Sequence, residues 1–140
     1  MNLTEDRAQT PAQITIVRIE GDVDGSNYRQ LIDRVREIHA AGARGLLIDL
    51  AGVKYMSSAG LVALHSIAKL FQQKPLPNVE EGWGAIRALE DAGKSGKQPF
   101  VKLLRPQPRV SNVLDQSGLL PYFDVHTDEA AALASFVSGG

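Results

Sequence analysis

The chain contains no cysteine, which excludes disulfides, thiolate nucleophiles and thiolate metal sites. It also lacks a block of one charge sign. Fifteen Lys and Arg against sixteen Asp and Glu leave a net charge of −1, so neither nucleic acid nor an anionic membrane is expected as the obligatory partner. No apolar stretch approaches the roughly 20 residues that span a bilayer. The opening, Met1 to Thr10, is polar and has no apolar core of a secretory signal. A soluble, cytoplasmic protein is the resulting expectation. Nothing resembling a serine–histidine–acid set or a working carboxylate pair stands out, and His39, His65 and His126 show no ligand spacing. No enzyme, cofactor or metal is expected.

What the chain does have is enough length for one domain with a real core. Of its 140 residues, 44% are hydrophobic and 22% charged, ordinary values for a globular chain. Gln13 to Glu20 alternates as a strand, with Ile14, Ile16, Val17 and Ile19 as core positions. A loop, Gly21 to Ser26, follows. Tyr28, Leu31, Val35 and Ile38 recur at helical spacing, with Ser26 as cap and Gly42 as terminator. Gly45 to Leu50 is nearly continuous in apolar residues, as an interior strand is. Leu61, Leu64, Ala68 and Phe71 predict a second helix over about 59–73.

Further on, Phe100 to Leu104 reads as a third central strand and Pro108 to Gly118 as a short helix bounded by Pro and Gly. Tyr122 to His126 predicts a short strand. Thr127 caps a last helix with acids in its first turn. Strands alternating with helices imply an α/β layer structure with a mostly parallel central sheet and helices packed alongside. Residues 1–12 are expected to be a flexible segment and 13–137 the domain. An exposed insertion is expected at about 75–98, with a short helix near 85–92 and Trp83 as an interaction anchor or a cover for the core.

The most telling stretch is Ile48-Asp-Leu-Ala-Gly-Val-Lys-Tyr-Met-Ser-Ser-Ala-Gly-Leu61. It reads as strand, turn and helix start, with two serines at the helix N-terminus, where unpaired N–H groups and the helix dipole favour negative charge. In isolation Ser58 reads as an ordinary N-cap worth about 1 kcal/mol. Asp49 reads as a turn-stabilising acceptor rather than an acid catalyst. Asp22 and Asp24 shape a loop by Asx-type bonds or meet a partner. Ala88 to Ser95 fits a relaxed Walker A pattern, but a helix-like segment precedes it where a strand is needed, so the match is accidental.

That central segment, with Gly21-Asp-Val-Asp24 and with the stretch from Arg105-Pro-Gln-Pro-Arg109 to Leu119, resembles the STAS domain family, and within it the bacterial anti-sigma factor antagonists. The resemblance implies a STAS fold of the SpoIIAA type. Ser58 then matches the residue that such antagonists offer to an anti-sigma factor with serine kinase activity. Ser57 stands where the family usually has aspartate, and is the second choice as acceptor. Ala59 stands where a second hydroxyl residue is common.

As the resemblance has it, the unphosphorylated form binds the anti-sigma factor, phosphorylation ends that binding, and a phosphatase restores it. This regulates sigma-factor-dependent transcription. The partner surface it implies comprises Asp22, Asp24, Ser57, Ser58, Ala59, Gly60, Leu61 and His65. Two other roles within the family remain open at this point. One is a non-phosphorylated scaffold subunit of a stress-signalling or lipid-transport ATPase complex, and the other is a nucleotide-binding regulator.

Overall fold

In the computed structural model, residues 1–8, 13–73 and 83–138 are described. Their elements are β1 (Asn2–Arg7), β2 (Ile14–Glu20), α1 (Tyr28–Ala40), β3 (Gly45–Gly52), α2 (Ser58–Phe71), α3 (Trp83–Lys94), β4 (Val101–Leu104), α4 (Pro108–Gln116), β5 (Asp124–His126) and α5 (Glu129–Ser138). A 3-10 turn, Leu120–Tyr122, precedes β5. The five strands lie in the order β1-β2-β3-β4-β5. Only β1 runs antiparallel to its neighbour, and β2 to β5 are parallel. The fold is therefore α/β with a mixed, mostly parallel sheet, as expected.

Strand periodicity splits the core in two. Val17, Ile19, Leu46, Ile48, Leu50, Val101 and Leu103 face the layer built by α1, α2, α3 and α4. The alternate residues Ile14, Ile16, Leu47 and Leu104 face α5 through Ala132 and Phe136. Because both faces of β3 are covered, its sequence reads as unbroken apolar residues rather than as an alternation. Gly45 opens the strand at a crowded point. A Cβ there would lie 2.5 Å from Ile14 Cδ1 and 3.1 Å from the Phe136 ring.

Helix ends follow the chemistry of the residues beyond them. Gly42, at φ +109°, closes α1, with Gly42 N–H donating to His39 O and Ala43 N–H to Ile38 O. Gly118, at φ +83°, ends α4 the same way. The N-caps differ from expectation by one residue each. The cap of α1 is Asn27, because Ser26 is held by the Asp24 carboxylate instead. For α5, Asp128 rather than Thr127 receives the Ala131 N–H, at 3.0 Å.

Two expectations about organisation are corrected. Residues 2–7, read as part of a flexible segment, form β1 and pair with β2 from Asn2↔Glu20 to Arg7↔Thr15. Polar side chains hold this strand. Asp6 pairs with Arg18 at 3.0 Å, and Glu5 with Arg34. The stretch read as an exposed insertion carries α3, of which Ala85, Leu89 and Ala92 are buried in the main core. A Cβ on Gly93 would come within 1.6 Å of the Gly118 carbonyl oxygen, so α3 approaches that turn at backbone distance. Residues 75–82 and the Trp83 side chain lie outside the described set.

Candidate functional site at the carboxyl ends of the strands

The loops leaving β2 and β3 are laced together. Gly21 N–H donates to Gly52 O at 3.0 Å, Val23 N–H to Tyr55 O at 3.1 Å and Ser57 N–H to Val23 O at 2.9 Å. Val23 and Met56 form a parallel bridge beyond the ends of the two strands. Both side chains are buried and pin the loops to the core. The loop after β4 joins them where Gln107 Nε2 donates to Ala51 O at 2.7 Å. One continuous face results at the carboxyl edge of the parallel strands, where α/β sheets place their sites.

Ser57 is the N-cap of α2, with extended backbone at φ −84° and ψ 177°, but its side chain makes no capping hydrogen bond. Its Oγ is buried and has no partner among the described residues. Ser58, read as the cap, is instead the first helical residue, and it is exposed. The two serines therefore differ in access by one step of the chain. Helix geometry leaves the first N–H groups of α2 without intrahelical acceptors, and Leu61 is the first to donate back, to Ser57 O at 3.1 Å.

Asp22 and Asp24 lie beside this helix start on the Gly21–Asn27 loop. Asp22 is exposed. The carboxylate of Asp24 accepts from Ser26 Oγ at 2.5 Å and Ser26 N–H at 2.9 Å, and these bonds lower its pKa. Asp24 thus shapes the loop while staying ionised. Ala59 is half-buried.

Three residues expected on the partner surface are buried. Gly60 and Leu61 face inward, and a Cβ on Gly60 would meet Met56 Cγ at 2.5 Å and Val23 O at 3.1 Å. His65 is 3% exposed, one turn further into α2, with its ring edge-on to Tyr122 at 5.7 Å. The apolar stripe that made α2 legible as a helix also turns these positions into the core. Tyr55 was missed as a surface residue, though it is 43% exposed beside the two serines. Its signal was an aromatic residue between buried Val53 and Met56.

Asp49 behaves as a turn acceptor. Its Oδ1 takes the Ala51 N–H at 3.0 Å, and its Oδ2 takes Arg18 Nη1 at 2.9 Å. The same guanidinium reaches Glu129 at 2.7 Å and Asp6 at 3.0 Å, tying α5 and β1 to the end of β3. The Walker-like residues 88–94 lie inside α3, so no loop is available there to cradle phosphate. Among the described residues no group of three or more acids and histidines is placed to hold a metal ion. No helix there is long and apolar enough to cross a membrane.

With fold and site in view, the family is defined by sequence. The STAS domain model matches residues 7–76, and the chain belongs to the STAS domain family. Solved structures share the fold over nearly the whole chain. A candidate anti-sigma factor antagonist from Thermotoga maritima superposes with a TM-score of 0.71 at 13% identity, covering 96% of this chain and 94% of that one. An anti-sigma factor antagonist from Mycobacterium paratuberculosis gives 0.64 at 18% identity, covering 97% and 95%. The Bacillus antagonist SpoIIAA in its unphosphorylated form gives 0.56 at 21% identity, covering 98% of each chain. At these identities the likeness is one of fold.

Proposed function

We propose that the protein is an anti-sigma factor antagonist, a binding protein and not an enzyme, acting in the cytoplasm and switched by phosphorylation at Ser58. The observation that carries this reading is the contrast between the two serines. Ser58 is exposed on the first turn of α2, whereas the Ser57 hydroxyl is buried. A kinase needs an accessible hydroxyl, so Ser58 is the acceptor of choice and Ser57 is set aside. The partner is an anti-sigma factor with serine kinase activity, and a phosphatase resets the switch.

The proposed surface consists of Asp22, Asp24, Tyr55, Ser58 and Ala59. Gly60, Leu61 and His65 support it from within the core. A phosphoryl group brings roughly −1.5 to −2 charges and three acceptors. At the α2 N-terminus the fold tolerates it, because free N–H groups and the helix dipole favour an anion there. Within a desolvated interface already flanked by Asp22 and Asp24, the same charge opposes binding. The switch then works by exclusion, without refolding.

The test is phosphopeptide analysis of protein from its native host, reading the span Lys54 to Lys69, combined with binding of the Ser58→Asp variant to the cognate anti-sigma factor. Phosphate on Ser58 together with weakened binding of the variant supports the reading. An unmodified peptide under every growth condition, or full binding by Ser58→Asp, sinks it.

A further inference from the structure

His65 is an anomaly. Both imidazole nitrogens are buried and lack hydrogen-bond partners among the described residues, a costly state for a polar side chain. It sits mid-way along α2 with its ring edge-on to Tyr122 of the 3-10 turn. The Tyr122 hydroxyl is occupied by Gln72 Nε2, from the end of α2, at 2.5 Å.

Helix α3 packs against both elements that enclose the imidazole, α2 and the turn carrying Tyr122. Among its described side chains, the buried ones are mostly small: Ala85 and Ala92 with one larger residue, Leu89, while Ile86 is left 38% exposed. Through these described residues, α3 docks mainly small apolar side chains onto a seam that holds an unsatisfied polar group.

We propose that α3 is a proton-sensitive lid, docked while His65 is neutral and released when the imidazole gains a proton, so that an apolar strip of α2 is uncovered. The charged surroundings favour this direction. Burial disfavours a positive imidazole, and Lys69, one turn along α2, adds to it, pushing the His65 pKa down to about 4. Among the described residues no acid offsets this. The Arg87, Glu90, Asp91 and Lys94 side chains of α3 are exposed. β4 faces α2 with apolar Val101 and Leu103. On the α1 side, His39 stacks edge-on to Phe71 at 5.0 Å.

An imidazole freed by lid opening returns toward its ordinary pKa of about 6.5, so the opening equilibrium rises roughly ten- to thirty-fold between pH 7.5 and pH 5.0. The experiment is hydrogen exchange of the full chain at both pH values, corrected for intrinsic rates, comparing residues 83–94 with β3. The expected result is a selective loss of protection in α3 at pH 5.0 that disappears in both His65→Leu and His65→Gln. If α3 keeps its protection at pH 5.0, the proposal fails. It fails equally if either folded variant retains the wild-type pH response. None of these readouts depends on Ser58 or on a partner.

Discussion

The amide of Ser57 donates to the carbonyl of Val23 at 2.9 Å, joining the end of the β3–α2 turn to the loop that follows β2. This bond holds two segments far apart in sequence as one surface. It relies on Gly60 lying close behind it. Gly60→Val places a Cβ 2.5 Å from Met56 Cγ and 3.1 Å from Val23 O. We expect a loss of about 1–3 kcal/mol in urea denaturation, with the Asp22–Asp24 loop exchanging faster than β3. A Gly60→Val protein as stable as wild type would refute the close packing.

Ser57→Ala is expected to be nearly neutral. A capping serine ordinarily contributes about 1 kcal/mol through its bond to a helix N–H, but this one makes none and buries its hydroxyl unpaired. A change in stability under about 0.5 kcal/mol is the predicted outcome. A loss above about 1 kcal/mol would mean that the hydroxyl caps α2 after all.

Two glycines near the end of α3 should respond unequally to alanine. Gly93→Ala removes a poor helix former, which alone would help by about 1 kcal/mol. Its Cβ would meet the Gly118 carbonyl at 1.6 Å, so a net loss of about 2–4 kcal/mol is expected as α3 is forced off the turn. Gly96, at φ +89°, has nothing within 4 Å of a Cβ, and its replacement costs only backbone strain, about 1 kcal/mol. Equal losses by thermal or urea unfolding would contradict the geometry.

Lys102 illustrates the asymmetry of buried charge. Its side chain is 8% exposed, and the ammonium group reaches Asp124 at 3.3 Å and Ser135 Oγ at 2.8 Å and lies 4.8 Å from the Phe136 ring centre. Burial pushes the Asp124 pKa up, but hydrogen bonds from His126 and Lys102 outweigh it and leave it low. Asp124→Asn removes the partner and should destabilise by about 2–4 kcal/mol. Lys102→Met removes the buried charge instead and should be close to neutral. Reversal of that order in denaturation experiments would rule this account out.

Global stability should decline in acid on account of His65. Its folded pKa of about 4 lies below the unfolded value of about 6.5, so the unfolded chain binds the proton more readily between those limits. Stability is then undiminished above about pH 6.5 and falls toward pH 4, by on the order of 1–3 kcal/mol from this residue. The lowered pKa of Asp124 acts in the same sense at the acid end, since its contribution is present above about pH 4 and lost below. Urea midpoints for wild type and His65→Leu should therefore diverge as pH drops from 7 to 5. Parallel curves would assign the acid sensitivity elsewhere.

Most of the fold was legible because apolar spacing and turn chemistry agree over β2, α1, β3, α2, β4 and α4. Legibility ended where tertiary contacts decide. β1 has only Leu3 among polar residues, and it is a strand because β2 offers it an edge and because Arg18 and Arg34 pair with Asp6 and Glu5. The division between Ser57 and Ser58 was invisible too, since one residue of helix phase separates a buried hydroxyl from an exposed one. Leu61 and His65 were drawn toward the surface by motif proximity, although the spacing of Leu61 with Leu64 and Ala68 already marked the inward face.

The two margins of the sheet bear on how the protein behaves at high concentration. One margin, β1, is polar and largely exposed, with Glu5, Asp6 and Arg7 along it, and the other, β5, is three residues long. A short or charged margin is a poor template for strand addition. Concentrated stocks should therefore resist growth of sheet-to-sheet aggregates. Replacing Asp6 and Arg7 with valine would remove that protection and favour fibre growth along the β1 margin.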